Sequence, residues 1–328
     1  MSEKSQNDHQ RVAIILLNWN GKEDTLACLE SLEKTGGKDF TVLLVDNASE
    51  DDTMESVRLR DFKNINIEYI QNSENFGFAR ANNIGIRYAL EHSFGFVMLL
   101  NNDTVVSPDF LEKLLAYADL HPQTSVFTPQ IRYFGRDERI WNCGGRLTSY
   151  GSKKYYFEDR YPSELKDLKE LEVSFITGCA LLIRSELLQR HGLLSERFFF
   201  GEEDYEFSLR MRELGQRMVC VIPSVIWHKV SSSVSRASDA VSGRIFIHYL
   251  NRFINLRSFM PAWKWLLWRR FYLSYLQLIL ILRYRVRPAA VLRFSSALMK
   301  ESRRLGGVSK ETFDRWFAHD FNKNINRR

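Results

Sequence analysis

The chain of 328 residues has no run of 18 or more uncharged apolar residues, which excludes an ordinary membrane-spanning helix. Its first eleven residues are polar and hold no apolar stretch, so no secretory leader is expected. Neither Gly-x-Gly-x-x-Gly nor a Walker lysine occurs, which excludes the common phosphate loops. The four cysteines, Cys28, Cys143, Cys179 and Cys220, lie far apart at neither metal nor redox spacing and read as buried thiols in a reducing cytosol. Acidic residues are missing altogether from 240 to 300.

That last absence exposes a division of charge. Residues 244–328 carry 18 Lys/Arg against 4 Asp/Glu, a net of +14, and 1–243 carry 28 against 36, a net of −8; the formal total of +6 conceals both. Such asymmetry points to an anionic partner for the C-terminal part. Nucleic acid is not expected, because no recognition module is present. With 45% hydrophobic and 26% charged residues the composition is globular, and the length suits about two domains.

Apolar runs at Val12–Leu17, Thr41–Val45 and Phe94–Leu100 read as buried strands, and Ile65–Ile70 alternates as a further strand. Helical spacing over Lys22–Glu33, Glu50–Leu59, Ala79–Leu90 and Pro108–Leu120 separates them. Alternating strands and helices imply an α/β fold with a parallel sheet covered on both faces. Asn18, Asn20, Asp46 and Asp103 all follow strand ends, the edge where open α/β sheets bind ligands. A single Asp there is ordinarily a helix cap, but several on one edge make a site. Ile140–Leu147 suits a hairpin, and 152–172 reads as an exposed loop.

Leu16-Leu17-Asn18-Trp19-Asn20-Gly21, Val45-Asp46-Asn47-Ala48-Ser49, Asn75-Phe76-Gly77-Phe78-Ala79 and Leu99-Leu100-Asn101-Asn102-Asp103 occur in that order. Together they resemble family-2 glycosyltransferases of the GT-A fold, and within them the bacterial rhamnosyltransferase-like branch, over roughly residues 11–230. The resemblance implies a Rossmann-like, mostly parallel sheet flanked by helices, and a nucleotide-sugar site formed by Asn18, Asn20, Asp46, Asn75, Gly77, Asn101 and Asn102. Asp46 would bind base or ribose. Asn101-Asn102-Asp103 stands where the family places Asp-x-Asp, so Asp103 resembles the ligand of Mg²⁺ or Mn²⁺, hard cations that prefer oxygen. His228, 24 residues after Asp204, resembles the histidine that completes that metal site. Gly201-Glu202-Glu203-Asp204 resembles the family's Glu-Asp motif, which implies Asp204 as catalytic base and Glu203 as second choice. Acids opening a helix are more often dipole complements, yet three in succession exceed that need.

From Arg244 the texture changes. Ile245–Phe259 reads as a helix and Pro261 ends it; Phe271–Leu282 is an apolar run of twelve residues between Trp/Arg-rich and Arg-rich flanks. Twelve residues of helix rise about 18 Å, short of a bilayer core of about 30 Å. Charged flanks with Trp and Tyr suit an interfacial segment, and a helical subdomain packed on the rest of the chain is the alternative.

The expectation is therefore a disordered start at 1–11, a GT-A catalytic domain at 12–243 and a basic, aromatic-rich helical region at 244–328. The chain would be an inverting transferase moving a sugar, rhamnose among the candidates, from a nucleoside-diphosphate donor. The acceptor would be a lipid-linked glycan of O-antigen or cell-wall assembly, at an anionic membrane surface on the cytoplasmic face. A sugar-phosphate nucleotidyltransferase would want a basic Gly-rich loop after the first strand, which Asn18-Trp19-Asn20-Gly21-Lys22 lacks. A non-catalytic nucleotide-sugar-binding scaffold is the other alternative, opposed by the retained acids and His228.

Overall fold

The computed structural model describes residues 11–36, 39–230 and 241–321. Most of the disordered start expected at 1–11 and the polar end at 322–328 lie outside them. The strands are β1 (Val12–Asn18), β2 (Phe40–Asp46), β3 (Asn66–Gln71), β4 (Phe96–Asn101), β5 (Thr104–Val106) and β6 (Val126–Tyr133). They continue as β7 (Ile140–Asn142), β8 (Gly145–Leu147), β9 (Lys153–Tyr155), β10 (Glu170–Val173), β11 (Ala180–Arg184) and β12 (Met218–His228). The helices are α1 (Lys22–Glu33), α2 (Thr53–Leu59), α3 (Phe78–Glu91), α4 (Phe110–Leu120), α5 (Ser185–His191) and α6 (Glu203–Glu213). After them come α7 (Gly243–Phe259), α8 (Ala262–Leu282), α9 (Pro288–Arg304) and α10 (Lys310–Phe317).

The chain divides into two compact units, and the division is not a single cut at 243. One holds residues 1–147, 153–195 and 207–230; the other gathers 148–152 and 196–206 with 231–328. In the first, the main sheet runs β10-β12-β6-β11-β4-β1-β2-β3, with β5 on β12 and β7 on β6. The strands β3, β2, β1 and β4 are parallel, as the alternation of strand and helix requires. The sheet is mixed beyond them, because β11 runs antiparallel between β4 and β6 and β10 runs antiparallel to β12. The region expected as an exposed loop at 152–172 instead supplies β9 and the start of β10.

The continuous apolar runs are explained by burial on both faces. Val12, Ile14 and Leu16 of β1 pack with Leu29 of α1 and Phe110 and Leu114 of α4. Ala13 and Ile15 face the opposite core with Ile86 of α3, Leu187 of α5 and Phe207 of α6. Each such aliphatic side chain contributes about 1.5–3 kcal/mol by leaving water, so neither face of β1 tolerates a polar residue before Asn18.

The second unit has its own core of Phe246, Leu250 and Phe253 from α7, Leu273, Leu276 and Leu280 from α8, and Phe294 and Leu298 from α9. Ser242 caps α7 by accepting the Ile245 N–H, and Pro288 opens α9 where its missing N–H costs nothing. The twelve-residue run at Phe271–Leu282 is the second half of the 21-residue α8. Its first half was hidden in the sequence by Lys264, Arg269 and Arg270, but Arg269 is buried over the Trp265 ring at 4.5 Å. Burial, with Arg303 and Arg257 nearby, lowers its guanidinium to about 10. No helix of the described residues is long and apolar enough to cross a membrane.

Candidate active site

Parallel register places Asn18 beside Asp46, Asp46 beside Gln71, and Leu17 beside Asn101, so four strand ends form one polar edge. Asn18 is buried and organises it. Its Nδ2 donates to Asp46 Oδ1 at 2.8 Å and Ser49 Oγ at 3.0 Å. Its Oδ1 accepts from Thr25 Oγ1 at 2.9 Å and the Gly21 N–H at 3.3 Å. Asn102 Nδ2 donates to Thr25 Oγ1 at 2.9 Å and reaches Asn18 Oδ1 at 3.4 Å. Gly21 gives Asn102 room here, since a Cβ would stand 2.5 Å from Asn102 Nδ2 and displace that amide from Thr25.

Asp46 is only 1% exposed. Its carboxylate accepts from Asn18, from the Ser49 N–H at 3.0 Å and Oγ at 2.5 Å, and from Gln71 Nε2 at 2.6 Å. All four acceptor positions are filled within the chain, so Asp46 acts here on the shape of the edge. Asn20 has a left-handed φ of 51° and accepts the Glu50 N–H at 2.7 Å. Asn47 donates to Asn75 Oδ1 at 2.8 Å and accepts the Phe76 N–H at 3.0 Å, fixing the 75–77 loop to the end of β2. Gly77 then takes φ 78° ahead of α3, a conformation open to glycine. Sequence reasoning did not single out Ser49, Asn47 or Gln71, although the first two stand inside the Asp46 motif. It also passed over Trp19, which is 57% exposed on the loop that follows β1.

Asp103 and His228 are 125 residues apart in sequence, and the β5–β12 ladder joins them by pairing Thr104 with His228. Asp103 Oδ1 lies 3.0 Å from His228 Nε2, and the Lys229 N–H donates to the Asp103 carbonyl at 2.9 Å. The close approach is not aligned as a hydrogen bond. Asp103 Oδ1 and His228 Nδ1 are buried polar atoms without a hydrogen-bond partner among the described residues. Orphaned atoms of this kind cost about 1–3 kcal/mol each and call for a missing partner. A carboxylate with an imidazole fits a divalent cation of the Mg²⁺ or Mn²⁺ type. Among the described residues no group of three or more His, Cys, Asp or Glu could hold a metal. Half-buried Asn101 and tethered Asn102 precede Asp103; the Asn101 N–H donates to the Cys179 carbonyl at 2.9 Å. All four cysteines are free and buried.

In the second unit, the loop before α6 is held by one face of α7. Asn251 Nδ2 donates to the carbonyls of Phe200 and Gly201, both at 2.9 Å, and Asn255 Nδ2 to that of Glu202 at 3.1 Å. Arg252 chelates Glu202 through Nε and through Nη2, the latter at 2.8 Å, and its Nη1 donates to the Gly151 carbonyl at 2.8 Å. His248 Nδ1 is 3.3 Å from Glu202 Oε1. Residues 248, 251, 252 and 255 recur at helical spacing and face one way. Glu202 sits at φ 74°, a strained setting that this clamp maintains.

The three acids therefore differ. Glu202 is buried in an ion pair. Glu203 is buried and accepts the Gly201 N–H at 2.7 Å. Burial, opposed by the backbone N–H groups and reinforced by Asp204 and Glu202, pushes its carboxyl up to about 8. At neutral pH it is mostly protonated and cannot receive a proton, whereas Asp204 is half-buried. Because the ordinary value for Glu is 4.5, the folded chain binds this proton more tightly than the unfolded chain. Stability therefore falls as pH rises from about 4.5 to about 8, by at most about 1.4 kcal/mol per pH unit. Urea midpoints across that range should decline in the native protein and decline less in Glu203→Gln. Equal slopes would mean that Glu203 is ionised in the fold.

Residues 13–192 match the model of glycosyl transferase family 2. The low-salt glycan biosynthesis hexosyltransferase of Haloferax volcanii is 24% identical over 249 residues, 74% of this chain and 74% of that protein. The N-acetylglucosaminyl-diphospho-decaprenol L-rhamnosyltransferase of Mycobacterium tuberculosis is 24% identical over 254 residues, 72% of this chain and 80% of that one. In fold, the mannosyltransferase of Pyrobaculum calidifontis, solved with GDP-Man and Mn²⁺, superposes with a TM-score of 0.55 over 90% of this chain and 75% of its own, at 16% identity. The strand-end motifs, the mixed sheet and these likenesses agree: the chain is a glycosyltransferase with the GT-A fold, and it belongs to glycosyl transferase family 2.

Proposed function

We propose that this glycosyltransferase moves a sugar, with rhamnose the first candidate, from a nucleoside-diphosphate donor to a lipid-linked glycan, with inversion and with a divalent metal. The approach of Asp103 Oδ1, which lacks a hydrogen-bond partner among the described residues, to within 3.0 Å of His228 Nε2 at the polar strand edge carries the reading. The rhamnosyltransferase relative, named for a diphospho-decaprenol substrate, supports the choice of sugar and acceptor. The Mn²⁺ in the mannosyltransferase structure supports the metal.

Asp103 and His228 would hold Mg²⁺ or Mn²⁺, which when bound neutralises charge on the departing diphosphate. The network of Asn18, Asp46, Ser49 and Asn102 fixes the donor pocket before substrate arrives, so little reorganisation is left for the reaction. Asn20, Asn75, Gly77 and Asn101 complete the backbone frame of that pocket. Trp19 presents an exposed ring on which a nucleobase can stack. Asp204 takes the proton of the acceptor hydroxyl as its oxygen bonds to the anomeric carbon and the bond from that carbon to the diphosphate oxygen breaks. No covalent sugar–enzyme intermediate forms.

The test is transfer from a panel of nucleotide sugars to lipid-diphosphate-linked N-acetylglucosamine, with Mn²⁺ and then with EDTA. Transfer that EDTA abolishes and added Mn²⁺ restores is the expected result. Full activity in metal-free buffer would remove Asp103 and His228 from the proposed role.

A further inference from the structure

Helix α8 is apolar on two opposite sides. Trp265, Leu273, Leu276 and Leu280 are buried on one of them. Trp263, Leu267, Phe271, Tyr275, Leu278 and Leu282 are between 52% and 73% exposed. At 3.6 residues per turn these six fall within an arc of about 120°, centred opposite the buried row, along about 28 Å of helix. A helix that is apolar all round is ordinarily buried all round, and an exposed stripe this long marks an interaction surface. The stripe is uncovered by the described residues.

Charge identifies the occupant. Lys264 and Arg270 are exposed among the apolar side chains, and exposed Arg283, Arg285 and Arg287 follow the end of the helix. Other cations of this region are used internally: Arg252 on Glu202, Arg257 on the carbonyls of Ser302, Arg303 and Leu305, and Arg293 on that of Phe321. No acidic residue from 240 to 300 answers the exposed five. A second copy seated on the same face would set these cations against their own kind. An anionic bilayer answers both features, because its headgroups attract the cations and its interface accepts Trp, Tyr and Phe. The helix cannot cross.

We propose that α8 lies in the plane of an anionic lipid surface, with Trp263, Leu267, Phe271, Tyr275, Leu278 and Leu282 inserted to the headgroup–acyl boundary and Lys264, Arg270, Arg283, Arg285 and Arg287 on the headgroups. This deepens the proposed lipid-linked acceptor and rests on that reading for its purpose. Its test requires neither donor nor acceptor, so either can fail alone.

The experiment is co-sedimentation of the full chain with sucrose-loaded phosphatidylcholine vesicles, with and without phosphatidylglycerol. The native chain should pellet with the anionic vesicles and be released by salt. The double variant Phe271→Ser, Leu278→Ser should lose about ten-fold or more in partitioning. Lys264→Gln and Arg270→Gln should each lose about five-fold at low salt. All substituted positions are exposed, and circular dichroism confirms that each variant is folded. A native chain that stays in the supernatant would overturn the proposal, as would a folded apolar-face variant that binds like the native chain. A dimer that forms without vesicle binding and that Phe271→Ser abolishes would assign the face to a second copy instead.

Discussion

Replacing Asp204 by Asn is expected to lower transfer by about 10²–10⁴-fold while donor affinity stays unchanged. The amide keeps the size and position of the carboxylate but cannot take the acceptor proton. The neighbouring acids should not rescue it. Glu202 is bound by Arg252, and Glu203 is held neutral by burial up to about pH 8. Residual transfer in Asp204→Asn should stay flat to neutral pH and rise only as Glu203 ionises near pH 8. Donor binding is read by thermal shift with nucleotide sugar and Mn²⁺. Normal turnover in Asp204→Asn would take the base role away from this residue.

Replacing Arg252 by Met is expected to destabilise the fold by about 3–5 kcal/mol, read from urea unfolding. The Glu202 side chain is 2% exposed and would be left in the interior without its guanidinium, with His248 Nδ1 still 3.3 Å away. The same substitution removes the hydrogen bond to the Gly151 carbonyl and the contact of the guanidinium over the Tyr205 ring at 3.8 Å. The double variant Arg252→Met, Glu202→Gln should recover a large part of the loss, because the cost comes from an unpaired buried charge more than from a lost attraction. A single variant within about 1 kcal/mol of native would show that Glu202 is hydrated or neutral in the fold. The clamp also ties α7 to the loop of the proposed base. The loop that presents Asp204 is pinned by Asn251, Arg252 and Asn255, so α7 is part of the support for the proposed base.

The first half of the donor edge is legible in the sequence because parallel α/β topology needs only local signals. An apolar run closed by Asn18, another closed by Asp46 and a third closed by Asn101 must end on the same side once helices connect them. The order of the four motifs then identifies the family that the match over 13–192 shows. Three features were out of reach for physical reasons. The β5–β12 ladder that brings Asp103 to His228 joins segments 125 residues apart, and no local periodicity encodes it. The capture of Glu202 by Arg252 was invisible because an arginine among aromatic residues reads as one more cation of a basic tail. The full length of α8 was obscured because Arg269 and Arg270 look like a break. Arg269 is instead buried against Trp265, a contact that only the packing reveals.

The stereochemistry of transfer offers the most direct measurement. Proton NMR of the glycoside formed reads the configuration at the anomeric carbon. A single displacement with Asp204 as base gives a product of opposite configuration to the donor in every turnover. A product that retains the donor's configuration, or a nucleotide found attached to a sugar phosphate, would contradict it.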